Sequence, residues 1–146
     1  MKIKVSQKKQ LTMFCSLTVA YSSMLVGILR FGLEIADVIF MDTVFNYETC
    51  TRLVIYTCII LSAISIVRFL KNVDKGFVFD KKNIYPLRFF AWTVTLTGII
   101  LTVINSINDS DSQTYMFFLL IGIFINILSE VFNLGVKMKE EQELTI

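Results

Sequence analysis

The stretch LVIYTCIILSAISIVRFL, residues 53–70, decides the fold. It carries one charge, Arg68, which lies near enough to its end for the guanidinium to reach the membrane surface. An α-helix rises about 1.5 Å per residue, so about 20 apolar residues cross a hydrocarbon core of about 30 Å. The stretch therefore predicts a transmembrane helix.

Three further stretches have the same character: residues 11–29, 89–104 and 115–134. We interpret the first as a retained span rather than a signal peptide, because its apolar run is long and no small-residue cleavage site follows. The chain is 55% hydrophobic and 18% charged, whereas a soluble domain is about 45–50% apolar and about 25% charged. The sequence predicts an all-α, polytopic membrane protein: a four-transmembrane-helix bundle in a single domain, residues 1–146.

Basic residues are concentrated in segments that four crossings place on one side. Of the 14 Lys and Arg, twelve lie in the amino-terminal tail, in the loop 71–88 with the adjacent Arg68, or in the carboxyl tail. The other side holds only Arg30 and Arg52. Because positive charge resists translocation, we predict that both termini are cytoplasmic (N-in/C-in) in a multi-pass protein of the plasma membrane.

The residues present argue against catalysis. The chain has no His, which removes the commonest acid–base group and metal ligand. Its three cysteines form no Cys-x-x-Cys pair, and no nucleophile with a base or phosphate-binding glycine loop is present. Topology accounts for the basic residues, so direct nucleic-acid binding is not predicted. We expect a protein that is not an enzyme and has no cofactor or metal.

The outer segment, residues 30–52, mixes apolar residues with the acids Glu34, Asp37 and Asp42. This pattern predicts an extension of the first helix or a helix lying in the outer interface. Such a helix either packs over the outer end of the bundle or forms an extracytoplasmic contact surface.

One acid, Glu130, falls inside a predicted span. Asn126, Glu130 and Asn133 follow one another at i, i+4 and i+7, so they form a polar stripe on one face of the fourth helix. An intramembrane carboxylate is a functional hypothesis, here a proton or ion relay. The alternative is structural pairing with Arg68 or Arg88 at a similar depth, which we favour because Glu130 lies about one turn from the end of its span.

The inner loop reads KNVDKGFVFDKKNIYPLRFFAW (71–92), and the carboxyl end reads EVFNLGVKMKEEQELTI (130–146). Together with the chain length and span count, these two motifs resemble the bacterial four-span membrane proteins of domain-of-unknown-function family 2975 over essentially the whole chain. Pro86 is a local departure from the family's pattern. The resemblance points to eight interaction or motif residues: Gly76, Phe79, Asn83, Leu87, Arg88, Gly135, Leu144 and Thr145. It implies no activity, but it does imply a cytoplasmic helix-turn-helix regulator as a possible partner.

The loop residues also have a physical interpretation of their own. Gly76 permits a turn with positive φ after the second helix, and Asp80 is suited to cap a short helix beginning at Lys81 or Lys82. Pro86 is tolerated near the start of the third helix. Arg88 then lies at the depth of the lipid phosphates. These features predict either a connection attracted to anionic lipid or a docking platform shared with the carboxyl tail.

Three functions are compatible with the sequence. The first is a non-enzymatic regulatory or interaction protein that engages a cytoplasmic partner through the inner loop and tail. The second is an immunity protein that protects the cell from a toxin or bacteriocin. The third is a small transporter that uses Glu130, although the first span contains no acid. The oligomeric state does not follow from the residues.

Overall fold

The computed structural model of the protein describes residues 2–40, 46–75, 80–108 and 114–144. These ranges form four helices: α1 (Lys2–Phe40), α2 (Tyr47–Asp74), α3 (Lys81–Ile107) and α4 (Thr114–Leu144). Within the body of a helix, backbone N–H and C=O groups bond to each other, as a lipid environment requires. Each contains one predicted span and is long and apolar enough to cross a membrane. The predicted all-α fold with four membrane-spanning helices is therefore confirmed.

The helices extend beyond the predicted spans. α1 continues to Phe40, so the first part of the outer segment prolongs the first helix; residues 41–45 lie outside the described residues. α2 begins after Asn46, whose side chain accepts a hydrogen bond from the Thr49 backbone N–H at 3.0 Å. Much of the predicted inner loop is also helical, because α2 ends at Asp74 and α3 begins at Lys81.

The helices pack as a row in chain order. α1 packs on α2, α2 on α3, and α3 on α4; in the described ranges, no Cα atoms within 8 Å join any other pair of helices. The rings of Phe69 on α2 and Phe132 on α4 nevertheless meet edge to face, with centroids 5.8 Å apart. α2 and α3 are the two inner helices, and α3 contains three residues with no exposed surface, Asn83, Ala91 and Leu101.

Two glycines set the close approach of α3 and α4. A Cβ added at Gly122 would lie 2.8 Å from the backbone nitrogen of Thr95, and one added at Gly98 would lie 2.9 Å from the backbone nitrogen of Leu119. Only a residue without a side chain fits at either position. Close backbone approach through small residues is the usual means of packing helices in a membrane, and it fixes the register of α3 against α4.

The two ends of the row differ in charge. We call the end where α2 finishes, α3 begins and α4 finishes the basic end, because it carries Lys71, Lys75, Lys81, Lys82, Lys137 and Lys139. We call the end where α1 finishes and α2 begins the acidic end, because it carries Glu34, Asp37 and Glu48. Between them, the outward faces of the helices are apolar, as contact with lipid requires.

Candidate functional site

The first turn of α3 organises the basic end. The Asp80 carboxylate accepts a hydrogen bond from the Lys82 backbone N–H at 2.9 Å, and its backbone carbonyl accepts one from the Asn83 N–H at 2.9 Å. Asp80 thus caps α3 as predicted, and the helix that it caps is the third span itself. The cap fixes the direction in which Lys81 leaves the helix.

Lys81 links the start of α3 to the end of α4. Its ammonium nitrogen lies 2.9 Å from Oε1 of Glu140. α4 carries Glu140 because it continues as a helix to Leu144, about ten residues past the predicted span. A cleft of about 190 Å³ opens at this contact, lined by both residues together with Asp80, Val136, Lys139 and Glu143. The start of α3 and the described end of α4 therefore share one charged surface.

A second ion pair joins the same two helices. Nη2 of Arg88 on α3 donates to Oε2 of Glu130 on α4 at 3.1 Å, and the Asn133 side-chain amide donates to Oε1 of Glu130 at 3.1 Å. Of the two arginines considered from sequence, Arg88 is the one in contact with Glu130. Both charged side chains are about half exposed, at 50% and 57%. The carboxylate thus lies at the edge of the helix pair rather than in a buried channel.

The predicted polar stripe is not one connected chain of hydrogen bonds. The Asn126 side-chain amide donates to the backbone carbonyl of Gly122, within its own helix, at 3.2 Å. Only Asn133 and Glu130 contact each other. A relay through all three side chains would need hydrogen bonds that this geometry does not contain.

A proline within α3 brings α2 into the basic end. Pro86 lacks an N–H, so it leaves the Lys82 carbonyl, four residues earlier, without its helical donor. The side-chain amide of Asn72 on α2 donates to that carbonyl at 3.4 Å. Asn83, one residue further along, is fully buried. Three helix ends are thus held together by polar contacts.

The family-motif residues differ in how deeply they are buried. Asn83 is buried, Leu87 and Gly135 are half-buried within helices, and Leu144 is exposed at the end of α4. Gly76, Phe79 and Thr145 lie outside the described residues.

Sequence reasoning did not single out Lys81, Glu140 or Asn72 as interacting residues. The first two were detectable in principle, because they carry opposite charges just outside the ends of adjacent spans. Asn72 had no such signal, since its role depends on the carbonyl that Pro86 exposes.

The acidic end contains a separate cluster around Arg52. Its Nε donates to Oε1 of Glu34 on α1 at 2.7 Å, and its Nη1 lies 3.7 Å from Oε2 of Glu48. This contact holds α1 against the start of α2. Within the described residues, no three His, Cys, Asp or Glu side chains are placed to hold a metal ion.

Comparison with known proteins gives one result that bears on this site. No curated protein and no solved structure matches the chain. The model of a family described as Protein of unknown function (DUF2975) matches residues 52–146. The match covers α3, α4 and α2 from Arg52 onward, and so includes all the contacts described at the basic end; α1 lies outside it, so the match is narrower than the predicted resemblance over essentially the whole chain. The chain belongs to the DUF2975 family and is an integral membrane protein with four membrane-spanning helices.

Proposed function

We propose that the protein is a non-enzymatic interaction protein whose basic end binds a regulatory protein in the cytoplasm. The contact between Lys81 and Glu140 carries this proposal. It joins the start of α3 to a helical tail that extends about ten residues past the predicted span of α4. A surface of paired charges around a cleft suits recognition of a charged protein partner, because matched charges give specificity and a fast encounter.

The proposal requires the basic end to face the cytoplasm of a plasma-membrane protein. Its support is the positive-inside distribution, with twelve of the 14 basic residues on one side. The first partner to test is a small helix-turn-helix regulator, the class implied by the family resemblance.

The geometry of Glu130 favours this function over transport. A transported ion or proton needs a path through the membrane that the carboxylate can serve. Glu130 instead pairs with Arg88 at the edge of α3 and α4, and Asn126 bonds to its own helix. The role that this geometry supports for the Glu130 carboxylate is an ion pair that joins α3 and α4.

The test is affinity purification from crosslinked membranes of the native host, followed by mass spectrometry. We expect the full-length chain to recover a protein that a chain ending at residue 139 does not recover. Lys81→Gln should weaken recovery, because it removes one charge from the surface that the start of α3 shares with the tail. Recombinant expression of the recovered protein with the full-length chain then checks that binding is direct.

The matched control is Glu34→Gln, which removes one carboxylate from an ion pair at the acidic end. Recovery should be unchanged in this variant. Equal recovery with the full-length and truncated chains contradicts the proposal, as does a loss of recovery that is as large in Glu34→Gln as in Lys81→Gln.

A further inference from the structure

An apolar groove lies between α2 and α3, away from the ion pairs described above. Its volume is about 420 Å³. On α2 its lining includes Val54, Thr57 and Leu61, and on α3 it includes Phe89 and Thr93. The hydroxyls of both threonines donate to backbone carbonyls of their own helices, at 2.8 and 2.9 Å. The groove therefore presents a hydrocarbon-like surface without free hydroxyl donors from these two residues.

The stripe of residues that lines the groove leads to a cation on each helix. Arg68 follows Leu61 by seven residues, or about two turns, so it lies on the same face of α2, about 10 Å further along the axis. Lys82 precedes Phe89 on α3 by the same interval. Both residues are exposed at the basic end. Helical periodicity thus places one positive charge beyond the groove on each helix.

Arg68 differs from the arginine at the opposite end of the groove. Arg52, two residues from the lining residue Cys50, is neutralised by the carboxylates of Glu34 and Glu48. Arg68 makes no hydrogen bond or ion pair with any residue in the described ranges. An anion drawn to this groove is therefore attracted to the basic end and not to the acidic end.

We propose that the groove binds one anionic phospholipid, with its phosphate at Arg68 and an acyl chain lying between α2 and α3. Arg68 lies at the end of its span, where a guanidinium reaches the phosphate layer. Half of a hydrocarbon core of about 30 Å is about 15 Å. From Arg68 to Thr57 is about 16 Å along α2, so one acyl chain passes Leu61 and ends beside Thr57. The proposal does not depend on the proposed partner.

Trp92 is a built-in probe of this site. It is the only Trp in the chain, it is 55% exposed, and it follows the groove-lining residue Phe89 by about one turn of α3. Bromine on an acyl chain quenches Trp fluorescence at short range. The full-length protein is reconstituted in vesicles of phosphatidylcholine containing a minor fraction of phosphatidylglycerol, with one lipid or the other brominated.

We expect brominated phosphatidylglycerol to quench Trp92 more strongly than brominated phosphatidylcholine at the same mole fraction. The enrichment should be about fivefold, the effect of one basic residue acting on an anionic lipid. Arg68→Gln should abolish the enrichment and Arg68→Lys should keep most of it. Thr57→Phe should also reduce it with the cation intact, because the larger side chain fills the part of the groove that the acyl chain reaches.

Lys137→Gln is the matched control, because it removes one exposed positive charge from the basic end but lies on α4, away from the groove. It should leave the enrichment unchanged, as should inorganic phosphate added to the buffer. Equal quenching by both lipids overturns the proposal. Equal losses in Arg68→Gln and Lys137→Gln overturn it too, since they indicate general surface charge. Quenching by both lipids that falls as the protein-to-lipid ratio rises shows that a second copy of the chain covers the groove instead.

Discussion

Gly122 shows how one residue fixes a helix contact. A Cβ at this position would lie 2.8 Å from the Thr95 backbone nitrogen, well inside van der Waals contact with a backbone atom that has little freedom to move. At Gly32 on α1, by contrast, a Cβ would meet nothing within 4 Å. The two glycines therefore make a matched pair for testing the α3–α4 contact.

We predict that Gly122→Ala lowers the free energy of unfolding by about 1–3 kcal/mol, the usual cost of overpacking. Gly32→Ala should be neutral or should stabilise by up to about 1 kcal/mol, because Ala is the better helix former. Thermal unfolding in detergent, followed by circular dichroism, measures both changes. Equal effects of the two substitutions would show that α3 and α4 are not in tight contact at Gly122.

A second prediction at the scale of residues concerns the Arg88–Glu130 ion pair. Both side chains are about half exposed, so we expect a coupling of about 0.2–1 kcal/mol, as for other accessible ion pairs. A double-mutant cycle with Arg88→Gln and Glu130→Gln in the same unfolding assay measures it. The coupling should fall at high salt. A coupling of zero at low salt would mean that the two charges act independently.

At the scale of elements, α3 shows what a proline does within a membrane helix. Pro86 leaves the Lys82 carbonyl without its helical donor, and Asn72 on α2 donates to it at 3.4 Å. Pro86 departs from the family pattern, and the hydrogen-bond donor that it removes is replaced by a side chain from another helix. The result is a polar tie between the end of α2 and the beginning of α3.

We predict that Asn72→Leu destabilises the protein by about 0.5–1.5 kcal/mol, the net contribution of one hydrogen bond. The same substitution should cost less in a Pro86→Ala background, because the new backbone N–H then donates to the Lys82 carbonyl. Chemical unfolding of the four variants in detergent provides the comparison. An equal loss of stability in both backgrounds would show that Asn72 does not replace the donor that Pro86 lacks.

For the whole molecule, the distribution of charge makes a prediction about orientation. In a variant whose native cysteines are replaced by Ala, a membrane-impermeant maleimide should label Asn108→Cys in intact cells. Lys75→Cys and Lys139→Cys should react only after the cells are opened if the basic end faces the cytoplasm, as the charge distribution predicts. All three positions are exposed in the structure. Labelling of Lys139→Cys in intact cells would overturn the orientation with both termini inside.

The sequence by itself determined the fold class, the four spans and the separation of charge between the two ends. These properties depend on length, hydropathy and charge, which add up along the chain whatever the helices contact. Asp80 as a cap was also predictable, because capping involves only the next few residues. The motif residues Gly76, Phe79 and Thr145 were named from the family resemblance and lie outside the described residues.

Only the tertiary structure decided which helices are neighbours and which charges meet. From the sequence, Arg68 and Arg88 lie at a similar depth and were both possible partners for Glu130. Packing brought Arg88, and not Arg68, into contact with Glu130 on α4. Lys81 and Glu140 are 59 residues apart in the chain, yet they are in contact. The physical reason is that the register of helices in lipid depends on where small residues such as Gly98 and Gly122 meet a facing backbone, and hydropathy does not encode that shape.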